Sequence, residues 1–202
     1  MKLYTSPTSP FCRTVEVVAH ELGLMDDIER LPTKAMPTQG DPAFRQVTPL
    51  RRIPALDAGD GLVIVDSTVI AEYLCARVGD HAMFGRDGGD HWRMMTDYVH
   101  ARGIAEAGVQ GRYESAVRPD EKRWDAWLDD QMDKIDAILA RFDGAPPAAT
   151  GRLTIVDVML GVALGYLDFR YADFGWRQRH AALADWAEPV LARPSFEATR
   201  PG

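Results

Sequence analysis

The feature that most constrains the fold of this chain is a change of pattern near residue 80. Before that point, short strand-like runs alternate with helical stretches, from "KLYT" at the start to "DSTVIAEYLCARVG" at the end. After it, apolar residues recur at helical spacing almost to the end of the chain. We therefore expect an α/β domain with the order βαβαββα over residues 1–78, a linker over 79–89 and an all-α domain over 90–202.

Length and charge narrow the class of protein. The 202 residues are 46% hydrophobic, which is enough to bury a substantial core, and the formal net charge is -7 at pH 7. An acidic balance argues against nucleic acid as the main partner, because binding of phosphates needs a basic face. Apolar runs fall short of the roughly 18 residues that span a bilayer, and the first residues lack the pattern of a secretory leader. We expect a cytoplasmic protein that binds neither nucleic acid nor membrane.

The cysteines and histidines predict no structural metal. The two cysteines, Cys12 and Cys75, are too few for a disulfide framework, and we expect both thiols to be reduced in the cell. The five histidines show no spacing typical of metal ligands.

Two helix starts carry clear capping signals. In "SPFCRTVEVVAHELGL", Ser9 fits the N-cap and Pro10 fits the first helical position. Thr154 and Asp157 form a capping box with Asp in place of Glu, directly before a nearly all-apolar stretch. We expect the helix that follows Thr154 to be central and buried.

Helical spacing also predicts two apolar faces. The first, in the helix that follows Asp66, consists of Val69, Ile70, Tyr73, Leu74 and Val78. The second, in the helix that follows Pro119, consists of Trp124, Trp127, Leu128, Met132, Ile135, Ile138 and Leu139.

Three segments of the chain resemble glutathione transferases. The segment "VTPLRRIPALDAGDGLVIVDSTVIAEYL" is similar to the family's Asn-Pro-x-Gly-Lys-Val-Pro-x-Leu…acid-Ser-x-x-Ile stretch, although Thr48, Arg51 and Arg52 stand where Asn, Gly and Lys are usual. "SPTSPFCRTV" resembles the active-site turn of the serine-type classes, and "LTIVDVMLGVALGYLDF" resembles the capped helix of the second domain. The resemblance implies a thioredoxin-like glutathione-binding domain, an all-helical domain with a hydrophobic-substrate pocket, and a homodimer that serves detoxification.

The same resemblance implies a glutathione site. A cis peptide bond at Pro54 would turn the Ile53 backbone towards the cysteinyl part of glutathione, whereas the plain alternative is a trans proline at a strand start. Asp66 and Ser67, at a predicted helix N-terminus, would hold the γ-glutamyl group, cap the helix, or do both. Arg52 would meet the glycine carboxylate of glutathione or lie in solvent beside a turn.

Ser9 is the residue that we expect to activate the thiol. A hydroxyl at this position donates to the glutathione sulfur, and the helix N-terminus behind it also favours the thiolate. Thr5, Ser6 and Thr8 lie near enough in sequence to be alternatives. Cys12 has the spacing of a Cys-x-x-Cys motif with serine in the first position, so it is either a thiol of lowered pKa or a small core residue.

For the second substrate, the resemblance points to the long helix after the linker. The candidates are Tyr98, Arg102 and Tyr113, with Phe11 and Phe169 as walls of the pocket. The plain alternative is that these aromatic residues pack in the core, as most aromatic residues at helical spacing do.

Two functions fit this reading. In the first, the protein is an enzyme that conjugates glutathione to a small hydrophobic electrophile or uses it in a glutathione-dependent reduction. In the second, it binds glutathione or another ligand without turnover, or serves as an interaction platform, because a fold does not fix a function. A weaker third reading makes Cys12 the centre of a mixed-disulfide reductase.

Overall fold

The computed structural model describes residues 1–86, 90–148 and 151–202. The α/β part contains β1 (Lys2–Thr5), α1 (Pro10–Glu21), β2 (Glu29–Pro32), β3 (Ala55–Gly59), β4 (Leu62–Ile64) and α2 (Ser67–Arg77). The helical part contains α3 (His91–Ala116), α4 (Asp125–Gly144), α5 (Ile155–Arg170), α6 (Trp176–Arg179), α7 (Ala181–Leu191) and α8 (Pro194–Ala198).

The fold class is the one that the sequence predicts, a mixed four-stranded sheet with helices followed by an all-helical domain. The helical element between β2 and β3 is a 3₁₀ helix, Pro42–Gln46, rather than an α-helix. Asp41 caps it by accepting from the Ala43 N–H at 2.8 Å, and Pro49 restricts its extension. The domain boundaries stay a prediction, and residues 87–89 of the expected linker lie outside the described residues.

The sheet has the strand order β2-β1-β3-β4. β1 is parallel to β2 and antiparallel to β3, and Leu3 lies opposite Leu56 at the fully buried centre. β3 and β4 form the predicted hairpin, with Leu56 opposite Ile64. This register places the chain before β3, the chain after β1 and the chain after β4 at one end of the sheet.

Helix α1 joins the two halves of the molecule. It packs against α2 on one side and against α5 on the other, and Val15, Val17 and Val18 are fully buried. The buried Arg13 side chain donates to the Phe196 carbonyl oxygen at 3.1 Å, which ties α1 to α8. Burial, with the nearby charge of Arg200, lowers the pKa of Arg13 to about 10, so the guanidinium remains charged at neutral pH.

Helix α5 forms the centre of the helical domain. The Thr154 hydroxyl accepts from the Asp157 N–H at 3.3 Å, and the Asp157 carboxylate accepts from the Thr154 N–H at 2.7 Å, which confirms the predicted capping box. All but a few of its side chains are buried. Among the described helices, α5 included, we find none long and apolar enough to cross a membrane.

Three predicted core positions are exposed instead. Ile70 and Leu74 of α2 are buried, but Val69 and Val78 are about half exposed, and Trp124 is 65% exposed just before α4 begins. Periodicity predicts which residues share a face, but it does not show whether another element of the same chain covers the edge of that face.

Arg51 occupies a backbone conformation that favours glycine. Its φ is 51°, in the left-handed region, at the position where the glutathione transferases that the chain resembles often have Gly. The turn is held by Thr48, whose hydroxyl accepts from the Leu50 N–H at 3.3 Å. The Arg51 side chain is exposed, so it contributes little packing that would offset the backbone cost.

We expect Arg51→Gly to raise the free energy of unfolding by about 0.5–1 kcal/mol, because glycine removes the steric cost of positive φ at a smaller entropic cost. Urea denaturation at neutral pH measures the change. Arg52→Gly is the matched control, because Arg52 does not have a positive φ, and it should bring no gain. An Arg51→Gly protein less stable than wild type would contradict this account.

Candidate functional site

Three predicted segments meet at one end of the sheet. Tyr4 pairs with Ala55 and Leu56 pairs with Ile64, so Pro54 lies beside both the end of β1 and the chain that leaves β4. The Ile53–Pro54 peptide bond is cis, as the resemblance implied. Ser9 follows β1 and Asp66 follows β4, so the register brings the ends of two helices to the same cis proline.

The N-terminus of α2 offers free hydrogen-bond donors. Asp66 is the N-cap, and its Oδ1 accepts from the Thr68 N–H at 3.0 Å. Ser67 is 1% exposed, and its hydroxyl has no hydrogen-bond partner in the described part of the chain. Together with the unpaired backbone N–H groups of the first turn, this hydroxyl suits a bound carboxylate.

Arg102 of α3 reaches across to this helix start. Its Nη2 donates to Asp66 Oδ2 at 2.6 Å and its Nη1 donates to the Thr68 hydroxyl at 2.6 Å. The Thr68 hydroxyl also lies 2.7 Å from the hydroxyl of the buried Tyr98. The helical domain therefore contributes two side chains that hold the N-terminus of α2 in place.

The sequence predicts only part of this bridge, by which we mean the contacts of Arg102 with Asp66 and Thr68. Tyr98, Arg102 and Glu106 lie four residues apart and so share one face of α3, and Arg102 Nε does donate to Glu106 at 2.8 Å. The contact with Asp66 depends on how α3 packs on α2, which spacing along one helix does not show.

The ion pair between Arg102 and Asp66 determines which groups at the site are charged. Burial alone would raise the pKa of Asp66, but the hydrogen bonds and charge of Arg102 lower it. Burial alone would lower the pKa of Arg102, but its bonds to Asp66 and Glu106 raise it. Burial raises the pKa of Tyr98, so its hydroxyl stays protonated. At neutral pH the site therefore holds a charged pair of Asp66 and Arg102.

Ser9 is the N-cap of α1, as predicted, and its hydroxyl accepts from the Cys12 N–H at 3.3 Å. Of the neighbouring hydroxyls, that of Thr5 is buried and donates to Glu16 at 2.7 Å. The hydroxyls of Ser6 and Thr8 lie 3.4 Å apart. Accepting one hydrogen bond leaves the Ser9 hydroxyl proton free to donate.

Cys12 is a core residue. It is fully buried, and burial raises its pKa to about 11, despite the opposing hydrogen bonds from Ser9 and Thr5. The alternative of a thiol with lowered pKa is therefore wrong. A residue inside the first turn can face either the site or the core, and in α1 the face that carries Cys12 turns inward. Cys75 is also buried.

The residues predicted for the second substrate separate into two groups. Tyr98 is 1% exposed and Arg102 is engaged with Asp66, so both of them support the helix start. Phe11 is half-buried, with the Arg102 guanidinium 5.7 Å from its ring centre. Tyr113 is half-buried, and burial raises its pKa while the positive charge of Arg52 opposes that rise.

Comparison with known proteins agrees with this geometry. Residues 8–77 match the family model of the glutathione S-transferase N-terminal domain, and residues 125–188 match that of the C-terminal domain. The uncharacterized GST-like protein YibF of Escherichia coli K12 is 31% identical over 205 residues, which is 100% of this chain and 98% of YibF.

Solved structures extend the likeness. A glutathione transferase family member from Pseudomonas fluorescens Pf-5, with bound glutathione, is 40% identical with a TM-score of 0.95, over 100% of this chain and 98% of the other. A second structure described in the same terms holds S-(propanoic acid)-glutathione, with 39% identity, a TM-score of 0.87 and full coverage of both chains. The glutathione S-transferase of Methylobacillus flagellatus KT, with glutathione bound, is 29% identical with a TM-score of 0.89, over 100% and 99%.

A thioredoxin-like domain with a cis proline beside two helix starts, followed by a helical domain, defines a glutathione transferase-like protein. The chain belongs to the glutathione S-transferase superfamily.

We expect Arg102→Met to raise the pKa of Asp66 and to lower the free energy of unfolding at neutral pH by about 1 kcal/mol, because the pair is partly exposed. A carboxyl whose pKa is lowered by folding stabilises the fold above its unfolded pKa and loses that contribution as pH falls through its folded pKa. The stability difference between wild type and variant should therefore shrink in acid.

Urea denaturation at about pH 7 and about pH 3, with carbon-13 NMR titration of Asp66, measures both effects. Arg141→Met is the control, since Arg141 pairs with Asp97 on the surface and should leave the Asp66 titration unchanged. An Asp66 pKa that does not move in Arg102→Met would refute the assignment.

Proposed function

We propose that this protein is a glutathione transferase that binds glutathione, stabilises its thiolate and conjugates it to a small electrophile. The observation that carries the proposal is the meeting of Ser9, the cis Pro54 and the Asp66–Ser67 helix start at one end of the sheet. Detoxification and the cytoplasmic location expected from the sequence belong to the same proposal.

Each part of glutathione has a complementary group at this end of the sheet. The γ-glutamyl carboxylate lies at the N-terminus of α2, where it accepts from the Ser67 hydroxyl and free backbone N–H groups. Asp66 retains acceptor capacity for the ammonium group, because a carboxylate has about four lone-pair sites and Thr68 and Arg102 occupy two of them. The Ile53 backbone pairs with the cysteinyl part, and Arg52 meets the glycine carboxylate.

Ser9 acts on the sulfur. Its hydroxyl accepts from the Cys12 N–H and donates its own proton to the thiolate, so capping and activation do not compete. Lowering the thiol pKa from about 8.5 to about 6.5 raises the thiolate fraction at pH 7 some 25-fold. A Brønsted slope of about 0.4–0.5 makes the weaker base roughly tenfold less nucleophilic, so the net gain is a few-fold. The rest of the rate enhancement comes from holding the electrophile beside the sulfur.

The relatives support the proposal in two ways. Glutathione is bound to relatives that are 40% and 29% identical to this chain over nearly their whole lengths. One relative holds a conjugate of glutathione with propanoic acid, so a thioether fits this fold. We infer that glutathione is the co-substrate here. The buried Cys12 argues against the mixed-disulfide reductase reading.

We expect bound glutathione to show a thiol pKa well below about 8.5 in wild type, and Ser9→Ala to return it towards that value. Ultraviolet difference absorbance of the thiolate across pH measures it. Ser9→Thr should restore most of the shift, because threonine keeps both the cap and the hydroxyl. Ser6→Ala and Thr8→Ala are the controls and should keep the low pKa.

Binding of glutathione without a lowered thiol pKa, together with no turnover of haloarenes, epoxides, enones or peroxides, would favour the non-catalytic binder instead. A shift that is lost in Thr8→Ala and kept in Ser9→Ala would move the activating role to Thr8.

We also propose a homodimer. Four large apolar side chains on β4, α2 and α3 are exposed, those of Leu62, Val69, Trp92 and Val99, and we take them together as an apolar strip. Trp92 is 79% exposed and Val99 is 60% exposed. Val69 and Val99 flank the contact between Thr68 and Tyr98, so the two helices contribute to one surface. Because both domains contribute to this apolar strip, a second copy of the chain could cover it. In such a dimer the helical domain of one subunit would cover the first domain of its partner.

Wild type should sediment at about twice the chain mass of 22.4 kDa. Trp92→Glu with Val99→Glu should shift it towards the monomer, because charges would be buried without partners. Trp124→Glu is the control, since Trp124 is similarly exposed but its N–H donates to Glu114, which lies about 33 Å along α3 from Trp92. Analytical ultracentrifugation makes the measurement, and a monomeric wild type would end the dimer proposal.

A further inference from the structure

Arginine and tyrosine side chains gather where the C-terminal half of α3 meets the end of α5. This arginine–tyrosine cluster consists of Arg112, Tyr113, Tyr166, Arg170 and Tyr171. The Tyr171 hydroxyl donates to the Gly108 carbonyl oxygen at 2.6 Å, and the rings of Tyr166 and Tyr171 lie 6.5 Å apart. Added Cβ atoms at Gly108 and Gly111 would lie 3.1 Å from the Tyr166 ring and 2.9 Å from the Tyr171 hydroxyl, so two glycines of α3 make room for these side chains.

Among the residues that the structure describes, the two arginines of the cluster have no acidic partner. Other arginines of the helical domain pair with carboxylates: Arg102, Arg118, Arg123, Arg141, Arg177, Arg179, Arg193 and Arg200. Within the described ranges, Arg112 and Arg170 form no ion pair. The acids nearest to them in sequence are engaged elsewhere, because Glu114 pairs with Arg118 and Asp168 pairs with Arg177.

Arg170 is also held in place. Its guanidinium lies 4.0 Å from the centre of the Phe169 ring, and its Nε is buried with no hydrogen-bond acceptor among the described residues. A buried donor without an acceptor is costly, so a bound anion would stabilise this arrangement. Arg170 directly precedes Tyr171, and Arg112 directly follows Gly111, where an added Cβ would lie 2.9 Å from the Tyr171 hydroxyl. Both arginines therefore flank Tyr171, and their charges oppose the rise in pKa that burial causes in Tyr166 and Tyr171. Two like charges near each other also favour an anion between them.

Helix α5, which carries part of the cluster, packs on α1, the helix that Ser9 caps. An added Cβ at Gly165 would lie 2.5 Å from Arg13 Nη1, so α5 passes the Arg13 side chain in the first turns of α1. The charge of Arg52, a residue of the first domain, opposes the rise in pKa that burial causes in Tyr113, which agrees with this placement. Arg170 lies about 7.5 Å further along α5 than Gly165.

Resting on the proposed function, we propose that the second substrate is an electrophile that carries a carboxylate, and that Arg112 and Arg170 bind this carboxylate while the reactive carbon, a few bonds away, faces the glutathione sulfur. The protonated hydroxyls of Tyr113 and Tyr166 supply further donors to the same anion. A purely hydrophobic electrophile would leave the buried Nε of Arg170 without an acceptor. A short unsaturated acid fits this requirement because its carboxylate and reactive carbon are a few bonds apart.

With acrylate as the example, the reaction is a net addition of the thiol. The thiolate forms a carbon–sulfur bond to the β-carbon, the carbon–carbon π bond breaks, and its electron pair moves to the α-carbon, which takes a proton from solvent. That proton balances the one lost when the thiol ionised, and nothing is oxidised or reduced. The product is S-(2-carboxyethyl)glutathione.

Calorimetric binding of two conjugates tests the carboxylate site without turnover. Wild type should bind S-(2-carboxyethyl)glutathione about tenfold more tightly than S-propylglutathione, because the two differ at the added group and hydrogen bonds to a charged group are the strong ones. Arg112→Met and Arg170→Met should each bring this ratio towards 1 while leaving binding of S-propylglutathione unchanged. Arg93→Met, an exposed arginine near the other end of α3, is the control and should keep the ratio.

Measurements of turnover distinguish a failure of this proposal from a failure of the proposed transferase function. The kcat/KM values for acrylate and acrylamide, each divided by its uncatalysed rate with glutathione, should favour acrylate in wild type and lose that preference in Arg112→Met. A binding ratio near 1 in wild type, or one that both variants keep, overturns the proposal even if acrylamide is conjugated. A clear ratio with no turnover of either compound supports the carboxylate site and refutes the transferase function. Arg112→Met is decisive if Arg170→Met fails to fold, because Arg112 is exposed.

Discussion

The packing of α1 between α2 and α5 is the constraint on which the site depends. Valine side chains fill its buried face, Arg13 reaches the Phe196 carbonyl oxygen, and Glu21 accepts from Arg193 at 2.7 Å near its other end. Ser9 caps the same helix. Because the body of the helix is fixed by both domains, the hydroxyl at its start is held with little freedom, and the core of the molecule also positions its reactive end.

The bridge from Arg102 to Asp66 is a second connection of the same kind. It neutralises the Asp66 charge and leaves the Ser67 hydroxyl and the free N–H groups of α2 for an anion. The helical domain therefore shapes the electrostatics of a site that would otherwise belong to the first domain alone. Since Arg102 also stacks near Phe11 beside Ser9, a shift of α3 would alter both helix starts together.

Features that depend on neighbouring residues in sequence could be predicted, and features that depend on packing could not. The caps at Ser9 and Thr154 and the strand Lys2–Thr5 rest on local chemistry, and the structure shows all three. The inward direction of Cys12 and the exposure of Val69 depend on which elements of the chain lie beside them. The role of Arg102 depends on the distance between two helices that are separated by a linker. A period of 3.6 residues relates side chains on one helix but says nothing about the partner that each face meets.

On the proposed function, the charges of Arg112 and Arg170 matter more for the choice of substrate than the activation of the thiol does. A lowered thiol pKa gives a few-fold gain for every electrophile alike, because the thiolate fraction rises while nucleophilicity falls. On the proposal above, Arg112 and Arg170, which form no ion pair within the described ranges, distinguish between electrophiles, since a carboxylate satisfies the buried Nε of Arg170 and a neutral group leaves it without an acceptor. Arg170 lies on α5, which packs on α1, so Arg170 and the proposed activating residue Ser9 belong to two helices that are held against each other.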